Sequence, residues 1–208
     1  MKRLILLIAL GLWAMAPNRA QAQWTVGPHV LISFPNSDFA NVTKTGGGFG
    51  IKVARKVSAL GGVGLRGDFA FLSYGRDLRL VPNTFLVEQK RYQALRLTFG
   101  PQFEIGTRNF KVHAVAMGGF FLFKTDININ DGFQVFNASS DNEAALGWGI
   151  GGGFMYDIGL GPWLDVAVEY QSIYNVPAPQ VDQTGQTIKH DITAHEITLK
   201  VGVIFFLK

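Results

Sequence analysis

In the C-terminal segment, residues 195–207, apolar side chains occupy one parity from Ile197 to the end, and polar or small side chains occupy the other parity as far as Gly202. One parity carries Ile197, Leu199, Val201, Val203, Phe205 and Leu207, and the other carries Glu196, Thr198, Lys200 and Gly202. Because successive side chains of a β-strand point to opposite faces, the segment predicts a strand with one apolar face and one charged face. An uninterrupted apolar face of this length is typical of a strand that meets lipid on one side.

Seven more segments alternate in the same way, at residues 24–34, 46–55, 61–73, 90–105, 110–124, 144–157 and 163–174. In each segment, we predict that the apolar side chains of one parity face outward. Residues 144–157 differ because glycine fills most of their inward positions, so we expect bulky neighbours such as Arg66, Arg96 and Phe121 to use that space. The pattern predicts an all-β protein, an eight-stranded antiparallel up-and-down transmembrane β-barrel whose last strand pairs with its first.

The connections between these segments alternate in length. Those at 35–45, 74–89, 125–143 and 176–190 are long, whereas those at 56–60, 106–109 and 158–162 are short. Outer-membrane barrels have short periplasmic turns and long extracellular loops. We therefore expect both chain termini and the short turns on the periplasmic side.

The N-terminus has the features of an export signal. Lys2 and Arg3 precede an apolar run at residues 4–16, and Ala20 and Ala22 form a small-residue cleavage site. This run is shorter than the roughly 20 residues of a spanning helix. We predict a signal peptide at 1–22 and a barrel domain at 23–208, with the protein exported to the outer membrane; a retained anchor helix is the alternative.

Removing the signal changes the charge. The full chain has 19 basic and 15 acidic residues, a net charge of +4, and Lys2, Arg3 and Arg19 belong to the signal. The mature chain therefore has 16 basic and 15 acidic residues and a net charge of +1, which gives no reason to expect nucleic acid as a partner. The chain has no cysteine, so no disulfide supports the exported fold.

The strand pattern and the terminal strand at 197–208 resemble the small outer-membrane β-barrel families of Gram-negative bacteria. These are the OmpA/OmpX-like and porin-family domains, and in particular the Bacteroidota type labelled outer membrane protein beta-barrel domain or PorT-like. Such families usually end on an aromatic residue, whereas Phe205 and Phe206 here precede Leu207 and Lys208. The resemblance implies membrane lipid and the barrel-assembly machinery as partners. We predict a structural or interaction barrel whose long loops meet an external ligand or protein; a small transport or secretion-accessory barrel, which the PorT-like resemblance implies, is the alternative.

Charged residues share the parity opposite to the apolar face. They are Lys52, Arg66, Asp68, Arg96, Glu104, Asp165, Glu169, Glu196 and Lys200. Side chains nearly fill the interior of an eight-stranded barrel, and an unpaired buried charge is strongly unfavourable. We predict that these residues form an ion-pair network that plugs the lumen; a gated or narrow ion path is the alternative. A soluble lipocalin-like barrel would place apolar residues inside and charges outside. The pattern in this chain is the reverse, which argues against such a barrel.

An enzyme acting on membrane lipid is a further alternative. His195 lies on the apolar parity near the predicted outer rim, but no serine accompanies it on its strand. His29 and His113 are predicted to face inward and to be isolated, and His190 falls in a predicted loop. A lone histidine at a membrane rim is usually an interfacial residue, so we predict no catalytic site and no enzyme activity.

Residues 126–132 resemble a calcium loop only in part. Asp126, Asn128 and Asn130 supply ligand types at alternate positions, but the glycine comes one place late and Asn137 stands where a bidentate Glu is needed. We interpret this segment as a turn rich in Asn and Asp, and we expect no metal or cofactor.

Aromatic residues gather near both predicted membrane boundaries. Trp24, Phe103, Phe110 and Phe205 fall near the short turns, and Phe34, Phe71, Tyr74, Tyr92 and Tyr170 fall near the long loops. Two girdles of this kind are expected at the two interfaces of a membrane barrel.

Overall fold

The computed structural model describes residues 24–57, 62–75, 77–80, 87–130, 135–159, 161–178, 180–181, 187–188 and 190–207. The predicted signal peptide lies outside these residues, so its boundary stays a prediction. Within the described residues, none of the helices has the length and apolar character needed to cross a membrane.

Eight long antiparallel strands form one closed barrel. They are β1 (Trp24–Asn36), β2 (Gly46–Lys56), β3 (Val63–Tyr74), β5 (Val87–Gly106), β6 (Phe110–Asn130), β7 (Val135–Asp157), β8 (Trp163–Pro177) and β11 (Asp191–Leu207). A short helix α1 (Ser37–Ala40) follows β1, β4 (Asp77–Leu80) pairs with β5, and β9 (Gln180–Val181) pairs with β10 (Thr187–Ile188). The pairing of β1 with β11 closes the barrel, so the eight-stranded prediction is confirmed.

The hydrogen-bonded register fixes the tilt of the strands. Following paired residues from Val26 through every strand returns to β1 at Asn36, ten residues further along. A stagger of this size goes with strands tilted by roughly 35–45° to the barrel axis. Each row of paired residues therefore climbs from the short-turn end to the long-loop end as it passes from β1 to β11.

The two faces of the wall follow the predicted alternation. Large apolar side chains face outward, for example Val30, Phe49 and Phe99, which are 62%, 63% and 62% exposed. Their neighbours on the opposite parity, such as Leu31 and Thr98, are buried in the lumen. A continuous apolar outer wall excludes the lipocalin-like alternative and is suited to contact with lipid.

Strands β5, β6 and β7 are longer than the sequence predicts. They contain 20, 21 and 23 residues, whereas β1, β2, β3 and β8 contain 11 to 15. The loop predicted at 125–143 is wrong, because β6 continues to Asn130 and β7 begins at Val135, with Thr125 paired to Asp141. The pairing of β6 with β7 satisfies the backbone hydrogen bonds independently of the side chains. Because this hairpin is mostly polar, a prediction based on apolar alternation does not detect its strands.

Helix α1 packs its aromatic side chain, Phe39, into the outer end of the lumen. The Asn36 side chain caps the helix by accepting a hydrogen bond of 2.8 Å from the Ser37 backbone N–H. Phe39 is completely buried and packs edge-to-face on Tyr74, Tyr92 and Phe123, at centroid distances of 5.3, 6.0 and 6.2 Å. Phe39 thus completes an aromatic layer inside the barrel.

The predicted aromatic girdle at the long-loop end is therefore wrong for two of its residues. Tyr74 and Tyr92 lie at the long-loop end as predicted, but their side chains point into the lumen, where they are 3% and 0% exposed. The girdle assignment used height along the strand and ignored which face each residue occupies. The short-turn girdle residues and Phe34 do face outward, with exposed fractions of 40% to 47%.

Replacing Phe39 with alanine is expected to lower the free energy of unfolding by about 3–5 kcal/mol, because a fully buried aromatic side chain is lost and its three neighbours have no replacement contact. Urea unfolding in detergent micelles, followed by tryptophan fluorescence, measures this change. Leu78→Ala is the control, since Leu78 is 64% exposed on β4 and its removal should change stability by less than about 0.5 kcal/mol. Equal effects of the two substitutions would contradict the packing described for Phe39.

Candidate functional site in the barrel lumen

Asp68, Glu169, Arg66 and Lys200 form the centre of the lumen. Arg66 Nη2 donates to Asp68 Oδ2 at 2.9 Å and to Glu169 Oε1 at 2.8 Å. Lys200 Nζ donates to Asp68 Oδ2 at 2.9 Å and lies 2.7 Å from Glu169 Oε2. Each cation therefore contacts both carboxylates, and this quartet links β3, β8 and β11 across the barrel.

Arg96 and Glu196 extend the quartet toward the long loops. Arg96 lies 3.6 Å from Asp68 Oδ1 and 3.8 Å from Glu196 Oε1, and its side chain is fully buried. Glu196 Oε2 also accepts hydrogen bonds of 2.6 Å from the hydroxyls of Ser33 and Tyr74. Tyr74 therefore joins the charged layer to the aromatic layer around Phe39.

Lys52 and Asp165 extend the network toward the short turns. Lys52 Nζ donates to Asp165 Oδ2, and His113 Nε2 lies 3.0 Å from Asp165 Oδ1. The prediction that His113 is isolated is wrong, because β6 brings its ring against β8 across the lumen. His29 is also inside the barrel, with Nε2 3.8 Å from Asp68 Oδ1.

Glu104 lies apart from these groups, at the short-turn end. Its carboxylate lies 2.8 Å from Lys56 Nζ and accepts a 2.7 Å hydrogen bond from Gln102. The sequence analysis missed Lys56, although it has the same parity as Lys52, because the predicted strand stopped one residue before it. Lys56 supplies the partner of Glu104, so every predicted site residue has an oppositely charged partner.

Apolar layers close off the charged layer at both ends. Toward the long loops the layer contains Phe39, Leu72, Tyr92, Phe121, Phe123, Ile173 and Val176. Toward the short turns, Met155, Trp163 and Ile204 pack together with Phe206. The low polarity of these layers strengthens each ion pair and makes an unpaired charge costly.

Glycines of β7 make room for the side chains that meet in the lumen. A Cβ atom at Gly151 would lie 2.5 Å from Cγ of Glu169, and one at Gly147 would lie 2.8 Å from Phe121. The nearest side chain at Gly149 is Gln171. Of the three bulky neighbours predicted for this face, Phe121 is the one found against it, and Glu169 occupies the position at which the charged quartet forms.

The chain matches a family model described as outer membrane protein beta-barrel domain over residues 4–205. The chain belongs to this family. A search of curated proteins found no match. The family places this barrel in the bacterial outer membrane, in agreement with the apolar outer wall.

Solved structures show the same fold at low sequence identity. A major outer membrane protein from Thermus thermophilus is 13% identical, with a TM-score of 0.55 over 90% of this chain and all of that one. The attachment invasion locus protein Ail of Yersinia pestis, solved with the heparin analogue sucrose octasulfate, is 15% identical, with a TM-score of 0.51 over 89% of this chain and 99% of that one. At these identities the likeness concerns the fold alone.

His195 of this outer-membrane barrel faces outward and contacts an aromatic side chain. Its Nδ1 lies 2.8 Å from the Tyr170 hydroxyl, and the two rings stack at 6.0 Å. Ser172, which the sequence analysis did not connect with His195, is its register partner on β8. The neighbouring carboxylate of Glu196 is in the lumen with Ser33 and Tyr74, so it does not orient the His195 ring.

The segment compared with a calcium loop lies in the ladder between β6 and β7. Asp126 and Asn128 are paired with Ser140 and Asn137, so the turn interpretation of these residues is wrong as well. Asp126 lies 3.6 Å from the amine of Lys124 at the surface. Among the described residues, no group of three or more His, Cys, Asp or Glu side chains has the arrangement of a metal site.

Replacing Lys52 with methionine is expected to lower the free energy of unfolding by about 3–5 kcal/mol, because Asp165 then keeps a buried charge without its main partner. The double variant Lys52→Met/Asp165→Leu should recover most of this loss, since both charges are removed together. Urea unfolding of the refolded barrel provides the measurement. The exposed pair Lys124–Asp126 serves as the control, with an expected coupling of less than about 1 kcal/mol. A Lys52→Met variant as stable as wild type would contradict the pairing.

Gly151→Ala is expected to destabilise the barrel by about 1–3 kcal/mol, because the added methyl group overlaps Glu169 and the backbone of Val168. Gly118→Ala is the matched control in the neighbouring strand, where the nearest atom to a Cβ is 3.8 Å away. Thermal unfolding, followed by the loss of heat-modifiable migration on gels, compares the two. Equal thermal stability of the two variants would contradict the close packing of Gly151 against Glu169.

Proposed function

We propose that this outer-membrane barrel is closed to solutes and acts through the hairpins that project on its extracellular side. The observation that supports the first part is the set of buried, paired charges in the lumen, which lies between two apolar clusters. The protein is then a structural or interaction barrel with no catalytic role. Membrane lipid and the barrel-assembly machinery are its proposed partners during and after insertion.

The side chains in the centre of the lumen support closure. Arg66, Asp68, Glu169 and Lys200 reach across the interior from three strands, and each is at most 2% exposed. Movement of a hydrated ion would require several of these ion pairs to separate at once in surroundings of low polarity. Each separation would leave a buried charge unpaired, which is strongly unfavourable.

The projecting strands support an interaction outside the cell. Beyond the rim formed by β1, β2 and β3, strands β5, β6 and β7 continue as a sheet, and β4 pairs with the projecting end of β5. Its outward side carries polar groups such as Arg91, Gln93 and Lys124 directly above the apolar wall. Loops and hairpins held on a rigid scaffold are common places for binding specificity. Ail, which is similar in fold, was solved with a heparin analogue, so immobilised heparin is a reasonable first probe.

A narrow ion path or a secretion-accessory role is the second candidate, and one observation favours it. The contacts of Arg96 with Asp68 and Glu196, at 3.6 and 3.8 Å, are the longest arginine contacts in the described network. Arg96 is therefore the residue whose movement would open the lumen at the lowest energetic cost.

Single-channel recording in planar bilayers tests closure. We expect the refolded wild-type barrel to show no steady conductance of the size of a general porin, because the ion pairs and Phe39 block the lumen. Arg96→Ala should give brief, small openings, whereas Arg91→Ala, outside the lumen, should behave as wild type. Stable openings of porin size in the wild-type protein would refute the closed lumen.

Shortening the β6–β7 hairpin tests the role of the projecting strands. Because Ile127 pairs with Ser139, replacing residues 128–138 with Asn-Gly forms a two-residue turn without disturbing the barrel. We expect unchanged heat-modifiable migration and a free energy of unfolding within about 1 kcal/mol of wild type, because the contacts inside the membrane are retained. Cells producing the shortened protein should bind fewer heparin-coated beads than cells producing wild type. Misfolding of the shortened protein would indicate a structural hairpin instead.

A further inference from the structure

A groove of about 820 Å³ crosses the outward wall of the barrel on strands β2 to β7. Its floor consists of small or flat outward residues, Gly67, Pro101, Ala116 and Gly118. Larger apolar side chains, including Val53, Leu65, Phe99 and Ile150, form its sides. The wall is therefore indented here.

The groove begins at the short-turn end and climbs. Trp24 and Arg55 line its lower end, close to the ends of β1 and β2, and Trp148 lines its upper end. The rows of paired residues rise from β1 toward β7, so a groove that follows the row from Val53 through Gly67 and Gly118 to Trp148 rises obliquely. It leads from the periplasmic boundary into the middle of the membrane.

The lower end of the groove combines an aromatic ring with a cation. The Arg55 guanidinium lies over the Trp24 ring, 5.2 Å from its centroid. Arg66 also contributes to the lining, but its guanidinium is held in the lumen by Asp68 and Glu169. Arg55 is thus the cationic group that the groove presents on the lipid side. An arginine on this side is tolerated near the interface, where its head reaches the polar layer.

We propose that this groove binds one diacyl phospholipid of the periplasmic leaflet. The lipid phosphate accepts charge-assisted hydrogen bonds from Arg55, and one acyl chain lies along the floor formed by Gly67, Ala116 and Gly118. Arginine matches phosphate in both charge and geometry, and a groove that starts at the headgroup level places the phosphate next to it. The inference rests on the membrane-lipid partnership in the proposed function and deepens it by naming a site on the outer wall. It does not depend on the closed lumen or the hairpins, so its failure would leave those proposals intact.

Two glycines in the floor provide variants that fill the groove without disturbing the strands. A Cβ atom at Gly118 would be 3.8 Å from its nearest neighbour, and one at Gly67 would be 3.9 Å away. Gly118→Leu and Gly67→Leu should therefore fold and occupy the acyl-chain position. Gly47→Leu is the matched control, because Gly47 is an exposed outward glycine outside the groove lining whose Cβ would have its nearest neighbour at 4.0 Å.

The headgroup contact has its own pair of variants. Arg55→Gln removes the cation and keeps a polar side chain of similar length. Arg108→Gln removes a cation from an exposed turn at the same end of the barrel, which controls for a general effect of charge on lipid association. Heat-modifiable migration verifies that every variant has folded.

Native mass spectrometry of the refolded protein, released from dodecyl maltoside micelles with added palmitoyl-oleoyl-phosphatidylglycerol, tests the proposal. Wild type, Gly47→Leu and Arg108→Gln should retain one lipid per barrel. Arg55→Gln, Gly118→Leu and Gly67→Leu should each weaken retention about tenfold or more, as expected for loss of a charge-assisted hydrogen bond or of the acyl-chain position. Equal retention by Gly118→Leu and Gly47→Leu, or absence of bound lipid in wild type, would overturn the proposal. So would a lipid-free dimer that Gly118→Leu abolishes, because the occupant would then be a second copy of the chain.

Discussion

The pairing of buried charges in the lumen is the constraint on which the rest of this structure depends. Arg66 and Lys200 each contact both Asp68 and Glu169, at distances of 2.7 to 2.9 Å. The Arg66–Glu169 and Lys200–Asp68 contacts connect β3 with β8 and β11, which are not its neighbours in the wall. Backbone hydrogen bonds hold each strand to the next, but they do not determine what fills the interior. The charged quartet determines what fills the interior, because the loss of any one member would leave an unpaired charge in surroundings of low polarity, which is strongly unfavourable.

Other features of the barrel are consistent with this constraint. Gly151 leaves the space in which Glu169 reaches the quartet, and Tyr74 joins Glu196 to the aromatic layer that contains Phe39. The apolar layers above and below keep the charges away from bulk water. The side chains of the outer wall contact lipid and take no part in the charge network. Substitutions in the groove near Arg55 can therefore be made without affecting the lumen.

The sequence predicts the faces of the strands well because alternation depends only on local geometry. Lys52, Arg66 and Lys200 were assigned to the interior by parity alone, and the structure places them there. The identity of each partner could not be predicted, because it depends on the ten-residue stagger that appears only when the barrel closes. The sequence does not predict the burial of Phe39 for a similar reason: α1 enters the lumen through a long-range contact with no local signal. The sequence does not predict the extensions of β6 and β7, because residues 125–143 are rich in Asn, Asp and Ser and lack the apolar outward parity of the other segments.

A double-mutant cycle on Arg66 and Glu169 measures the central interaction most directly. The free energies of unfolding of wild type, Arg66→Met, Glu169→Leu and the double variant give the coupling between the two side chains. A buried pair at 2.8 Å that supports the barrel should show a coupling of about 2 kcal/mol or more. A coupling below about 0.5 kcal/mol, which is the range of exposed surface pairs, would contradict the view that the barrel depends on its paired lumen charges.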